Sequence, residues 1–168
     1  FRISGWSLKR TLMPVVLLAS AHDPSKSVKS YIFFMLFLET GMLGAFVSLN
    51  VFQFYLFWEG VGLCSFLLIG FWTHKQSARS AALQAFVTNR VGDLAFLVAI
   101  LILLKAYGDT RFEYVFGQMA YGGGPLIALV WFLLFVAAAS KSAQFPLYFW
   151  LPDAMEGPTP VSALMHAA

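Results

Sequence analysis

The sequence predicts an all-α polytopic membrane protein, and three observations carry that prediction. The first is composition: of 168 residues, 60% are hydrophobic and only 11% charged, with a mean hydropathy of +0.75, where a soluble globular domain carries about 25% charged residues. The second is run length. A hydrocarbon core about 30 Å thick needs about 20 mostly apolar residues per crossing helix, and residues 31–72 hold only Glu39 and Glu59 as charges. The third is where charge is placed: the net +3 is carried by loops and termini, with no basic stripe of the kind nucleic acid requires. The runs are too long and too many for a cleaved leader. The single cysteine, Cys64, excludes an internal disulfide, a cysteine zinc site and an iron–sulfur cluster, which needs about four thiolates.

Taken in order, residues 11–21 are apolar but short, and make a crossing only with Lys9 and Arg10 at the headgroup end. Two crossings follow, 31–50 and 52–72, with the turn in "SLNVFQ" (Ser48 to Gln53), where Asn50 and Gln53 are the only amide side chains. A third span reads over 82–104 and a fourth over 125–148. Between them Lys105 to Gly124 holds two bases and two acids, ends in "GGG", and reads as a plain connector. Pro158 and Pro160 then suit the start of a further helix over 160–168. The chain opens on Phe1 and stops at Ala168 inside that helix, so a piece of a larger protein is expected.

The hairpin 31–72 places the loops 22–30 and 73–80 on one side. They hold Lys26, Lys29, Lys75 and Arg79 against Asp23 alone, which by the positive-inside rule turns them to cytoplasm or matrix; Arg2, Lys9 and Arg10 pull the other way.

Chemistry should reside in the ionisable groups that a span normally avoids, since each costs roughly 2.5 to 3.5 kcal/mol at a helix centre. Five stand out: Glu39, Glu59, Arg90, Asp93 and Lys141, three acids and two bases. Arg90 and Asp93 in "NRVGD" are three residues apart on one helical face, either a self-neutralised pair or part of a proton route. Lys141 follows the small residues Ala137 to Ser140, which allow close helix approach. Pro146 cannot donate to the Ser142 carbonyl, so the helix should break beside the lysine, as it does where transporters bind ions. The competing reading is a lysine snorkelling from a span end. His166, about 9 Å into the last helix, suits proton relay by its titration near neutrality, although a helical histidine is more often structural. Haem is disfavoured because only this histidine lies in an expected span. The methionines and 18 phenylalanines read as packing and lipid contact.

Three blocks, "FWEGVGLCSFLLIGFW" (Phe57 to Trp72), "AFVTNRVGD" (Ala85 to Asp93) and "SKSAQFPLYFWLPDAMEGPTPVSALMHAA" (Ser140 to Ala168), strongly resemble the largest antiporter-like subunit of proton-pumping NADH:quinone oxidoreductase, respiratory complex I, the subunit 5 family. Residues 36–59, with their extra Glu39, are more similar to the sibling subunit 4, and Mrp-type sodium/proton antiporter subunits share the fold. The resemblance implies an antiporter-like helix bundle, of which this chain is the first inverted repeat only, with a discontinuous helix near Lys141 to Pro146. It implies that Glu59 and Lys141 form the pair central to proton translocation, with Asp93, Arg90 and His166 as further members of the path. It implies no cofactor in this chain, with NADH, flavin, iron–sulfur clusters and ubiquinone in the wider complex. The partners implied are the other membrane-arm subunits, above all the neighbouring antiporter-like one, a segment or chain supplying the C-terminal half, and membrane lipids. The expected location is the mitochondrial inner membrane, since a phenylalanine-rich, split or shortened subunit suits an organellar gene, with a bacterial plasma membrane as the alternative.

Overall fold

A computed structural model describes residues 28–121, 125–159 and 162 of the chain. The short apolar segment 11–21, and all of 160–168 except Ser162, lie outside the described residues, as does His166. The described elements are α1 (Val28–Phe46), α2 (Val51–Ile69), α3 (Gln76–Tyr107), α4 (Phe112–Tyr121), α5 (Pro125–Lys141) and α6 (Trp150–Asp153), which runs into a 3₁₀ turn, Ala154–Glu156. Three of these helices, α1 to α3, are long and apolar enough to cross a membrane, and α5 is a shorter apolar helix.

Local chemistry sets the boundaries. The side chain of Asn50 accepts from the Gln53 N–H at 2.7 Å, so the amides in the expected turn cap α2. The third helix extends well beyond the expected 82–104 because Gln76 to Ala81, polar apart from two alanines, still contains competent helix formers. At 32 residues, or about 48 Å, it overshoots the bilayer core. Gly108 ends it, with φ at +69° and its N–H bonded to the Leu104 carbonyl at 2.8 Å.

The expected plain connector is structured. Val51 N–H donates to Thr110 O (2.8 Å) and Phe112 N–H to Leu49 O (3.3 Å), a bridge that clasps the α1–α2 turn to the segment after α3. Within α4, Val115 and Met119 recur at helical spacing and pack on Ala99, Leu103 and Val130.

The break expected beside the lysine falls within the fourth span: α5 stops at Lys141, and the helix does not run through to Tyr148. Gln144 N–H reaches back to Ala139 O (2.9 Å), Ala143 adopts φ +52°, and helix resumes at Trp150. The freed backbone is recovered by side chains: the Trp150 indole N–H donates to Ser140 O (3.0 Å) and the Gln84 amide to Phe149 O (3.2 Å). A helix broken at membrane depth is tolerated only when protein satisfies it in this way. Trp150 and Ala154 are buried against Ile69, Ala81, Ala82 and Ala85, which fixes the resumed segment on α3. Ser162 N–H donates to Pro158 O (3.1 Å), the first bond expected of a helix beginning there.

A run of small residues on α3, Ala85, Gly92, Ala95 and Ala99, is buried or pressed against neighbours, while Leu83, Val87, Val91, Leu94, Val98 and Leu101 point outward. A Cβ built on Gly92 would overlap the Ser140 side chain and lie 3.2 Å from Ala137 Cα. Glycine is what lets α5 cross α3 there, and the crossing places Lys141, the next residue, at the level of Asp93.

Candidate functional site

Helix α2 presents Tyr55, Trp58, Glu59 and Gly62 at helical spacing on the face turned to α3 and α5. From α3 come Asn89, Arg90 and Asp93, and from the broken end of α5 comes Lys141. Two acids and two bases therefore converge from three helices, neutral in sum.

The partners are crossed relative to the pairing that the resemblance implies. Lys141 Nζ lies 3.3 Å from Asp93 Oδ1, and Glu59 Oε2 pairs with the Arg90 guanidinium. No ion pair between Glu59 and Lys141 forms among the described residues. The reason is geometric: the α3–α5 crossing at Gly92 and Ser140 delivers the lysine to Asp93, while Arg90, about one turn away, reaches across to α2. Arg90 Nη1 stays 3.9 Å from Asp93 Oδ2, so the in-helix pair survives only as a long contact. The two glycines that follow Glu59 on α2, Gly60 and Gly62, divide likewise. A Cβ on Gly62 would sit 2.9 Å from Lys141 Nζ, so this glycine makes the room that the lysine uses, whereas Gly60 has open space beside it. Glu39 takes part in none of the described ion pairs.

Burial is graded through the cluster. Asp93 is 2% exposed, the Lys141 side chain 21% and the Arg90 side chain 38%. Asp93 Oδ1 also accepts from the Trp58 indole N–H at 2.8 Å, and Lys141 Nζ lies 5.5 Å from the centroid of the same ring. The Arg90 guanidinium covers Phe86 at 4.5 Å. Glu59 Oε1 is buried, with no hydrogen bond of good geometry among the described residues.

A cavity of about 390 Å³ opens beside the pair, lined in part by Met42, Gly62, Asn89, Lys141 and Trp150. Asn89 donates to Ala85 O (2.8 Å), leaving its buried Oδ1 without a partner among the described residues. That acceptor and the ammonium form the polar end of an otherwise apolar space wide enough for water. No group of three His, Cys, Asp or Glu side chains that could hold a metal occurs among the described residues.

Sequence reasoning missed Trp58, Asn89 and Trp150. The only available signal was position: Trp58 immediately precedes Glu59, so the two side chains diverge by about 100° on α2 and serve the two ion pairs separately.

Residues 48–168 match the family described as NADH:quinone oxidoreductase/Mrp antiporter, TM. The chain belongs to this family. Over 154 residues it is 49% identical to the chloroplastic NAD(P)H-quinone oxidoreductase subunit 5 of Sesamum indicum, covering 88% of this chain and 22% of that protein. It is 50% identical to NAD(P)H-quinone oxidoreductase chain 5 of Synechocystis sp., with the same two coverages. The subunit 5 likeness carried by the three sequence blocks thus extends across most of the chain, which spans about a fifth of the length of these relatives. Among solved structures, the Mrp complex from Dietzia sp. superimposes with a TM-score of 0.83 at 31% identity, over 93% of this chain and 18% of that one. An archaeal membrane-bound sulfane sulfur reductase gives the same TM-score at 20% identity, over 93% and 33%, and shares the fold. The antiporter-like bundle with its discontinuous helix is therefore the fold of this family member.

Proposed function

We propose that this chain forms part of the proton path in the membrane arm of an NAD(P)H:quinone oxidoreductase, with Lys141 as the group that takes up and releases the proton. What supports the reading is one arrangement: Glu59, Arg90, Asp93 and Lys141, drawn from three helices of a family member, meet where α5 breaks. Unit charges about 4 Å apart interact by about 4 kcal/mol at an effective dielectric near 20. Moving a proton against 100 mV requires about 2.3 kcal/mol. Closing or opening the Asp93–Lys141 contact is thus a change of the right size to hold a proton and then let it go. Glu59, neutralised by Arg90 in this arrangement, is the carboxylate that the lysine would approach if the pairs exchanged. His166, which lies outside the described residues, would carry the proton onward.

In this reading the redox groups belong to other subunits. A single cysteine cannot supply the thiolates of an iron–sulfur cluster, and the family resemblance supports assigning NADH, flavin and ubiquinone to other subunits as well. The partners are the neighbouring membrane-arm subunits, and the rest of the path lies in a further segment or chain. The protein is membrane-embedded. For its compartment, the phenylalanine-rich composition supports the mitochondrial inner membrane, while the relatives' names point to chloroplast and cyanobacterial membranes; fractionation of the source cell decides.

The test is Lys141→Ala in the full-length subunit within its assembled complex. Pumping driven by NAD(P)H should be abolished with assembly largely retained, and undiminished pumping would overturn the proposal. The likeness to the Dietzia Mrp complex favours a second reading, a sodium/proton antiporter subunit. That reading requires cation/proton exchange in vesicles without NAD(P)H or quinone.

A further inference from the structure

The role proposed for Lys141 requires that its counter-ion stay in place when the lysine moves away. Asp93 is held inside the bundle with its side chain only 3% exposed, so the carboxylate itself faces little solvent when the ammonium departs. Of its neighbours, Arg90 is already committed to Glu59 and stands 3.9 Å off, beyond hydrogen-bonding distance. The donor that remains on Asp93 among the described residues is the Trp58 indole N–H, at 2.8 Å.

The same residue touches the other half of the pair. Lys141 Nζ lies 5.5 Å from the Trp58 ring centroid, within range for a cation over an aromatic face, and next to the space left by Gly62 one turn along α2. Trp58 is itself fixed by aromatic contacts to Phe54 (5.6 Å) and Phe96 (5.7 Å, edge-on), in the cluster that joins α2 to α3 and α5. Lys141, by contrast, ends a helix that stops at its own position.

We propose that Trp58 is a positioning residue for the Asp93–Lys141 pair: its N–H keeps the carboxylate charged and aimed while its ring carries the ammonium, so that the pair opens by motion of the lysine alone. The inference rests on the proton-path reading of Lys141. In the closed arrangement the indole and the ammonium share Asp93 Oδ1. Once the lysine has released its proton, the indole bond is what keeps the anion tolerable in a dry site. The other titratable or charged groups facing the pair are Tyr55 and Glu59 on α2 and Arg90 on α3. None of these supplies a neutral donor to Asp93.

The experiment uses the complex carrying the full-length subunit and follows proton pumping against pH in Trp58→Phe, beside wild type and Lys141→Ala. Phenylalanine keeps an aromatic face and removes the N–H. A hydrogen bond to a charged group converts to about one pH unit and about tenfold in rate. Losing the donor disfavours the charged carboxylate, so the acid limb of the profile should move to higher pH by about one unit, with pumping on that limb about tenfold lower and KM for NAD(P)H and quinone unchanged. If Lys141→Ala pumps normally, the proton-path reading fails. If Lys141→Ala is inactive while Trp58→Phe keeps the wild-type rate and profile, the role of Trp58 is overturned and that reading stands. Should Trp58→Phe not assemble, benzothienylalanine at position 58, which keeps the bicyclic shape and lacks only the N–H, is read instead. A wild-type profile with that isostere overturns the inference; a shifted one upholds it.

Discussion

Two clusters of oppositely charged side chains, built from similar residues, occur among the described residues, and they are held together in different ways. After α3, Asp109 and Arg111 satisfy one another within two residues: Arg111 Nη2 is 2.6 Å and Nε 2.8 Å from Asp109 Oδ2, and the Arg111 backbone N–H donates to Oδ1 at 2.8 Å. The arginine side chain is 71% exposed. Inside the bundle, Arg90 has an acid three residues ahead on its own helix and nevertheless engages Glu59, thirty-one residues earlier. A pair closed by sequence neighbours keeps the same partner wherever the helices sit and is weakened by water. A pair closed by helix packing depends on where the helices sit, so its partners can be exchanged when a helix end moves.

Four substitutions test that contrast. The largest effect is expected of Asp93→Asn, which leaves the Lys141 ammonium without its anion in a nearly dry site. Removing one member of a buried pair costs about 3–5 kcal/mol, read as lost pumping and a lower melting temperature of the complex. Wild-type behaviour would place this site on the same footing as the loop pair. Next is Gly92→Val, whose new side chain meets Ser140 and the α5 backbone. Overpacking of about 1–3 kcal/mol should lower the yield of assembled complex on native gels. Gly62→Ala comes third: its methyl would crowd the far end of the lysine side chain, 2.9 Å away, and only touch Asp93 Oδ2 at 4.0 Å, so assembly should be normal and pumping a few-fold slower. Normal pumping there would show that the lysine does not need that space.

The smallest effect belongs to Asp109→Asn. The Arg111 side chain beside Asp109, together with its backbone N–H, holds the carboxyl down to about 2 from its ordinary 3.8. A depressed carboxylate stabilises the fold fully above its ordinary range, and that contribution is lost only as pH falls from 3.8 towards 2. At neutral pH the variant should show a slight drop in melting temperature that vanishes in about 1 M salt, where exposed charges are screened within about 3 Å. A drop that persists in salt would mean that the loop pair behaves like the buried one.

Much of the helical layout could be read from residues because its determinants are local. Asn50 marks a cap, and the small run before Lys141 followed by Pro146 marks a break. The partners in the site could not, because pairing depends on how α2 and α3 are rotated about their axes, which spacing within one helix leaves open. That is why Lys141 meets Asp93 where the family resemblance implied Glu59. Trp58 stayed hidden because an aromatic residue in an apolar run looks the same whether it faces lipid or a carboxylate. The segment 105–124 read as a connector because its charges masked the Val115–Met119 stripe that docks α4.

The bridge between the Asn50 turn and Arg111 has a consequence for depth. It is a common datum from which α2 and α3 run side by side: Glu59 lies nine residues along one helix and Asp93 fifteen residues before Gly108 on the other. Each residue of slippage would displace a side chain by about 1.5 Å and swing it by about 100°. One residue inserted between Gly108 and Arg111 would therefore change how the two carboxylates are levelled against each other, with every charged residue still present.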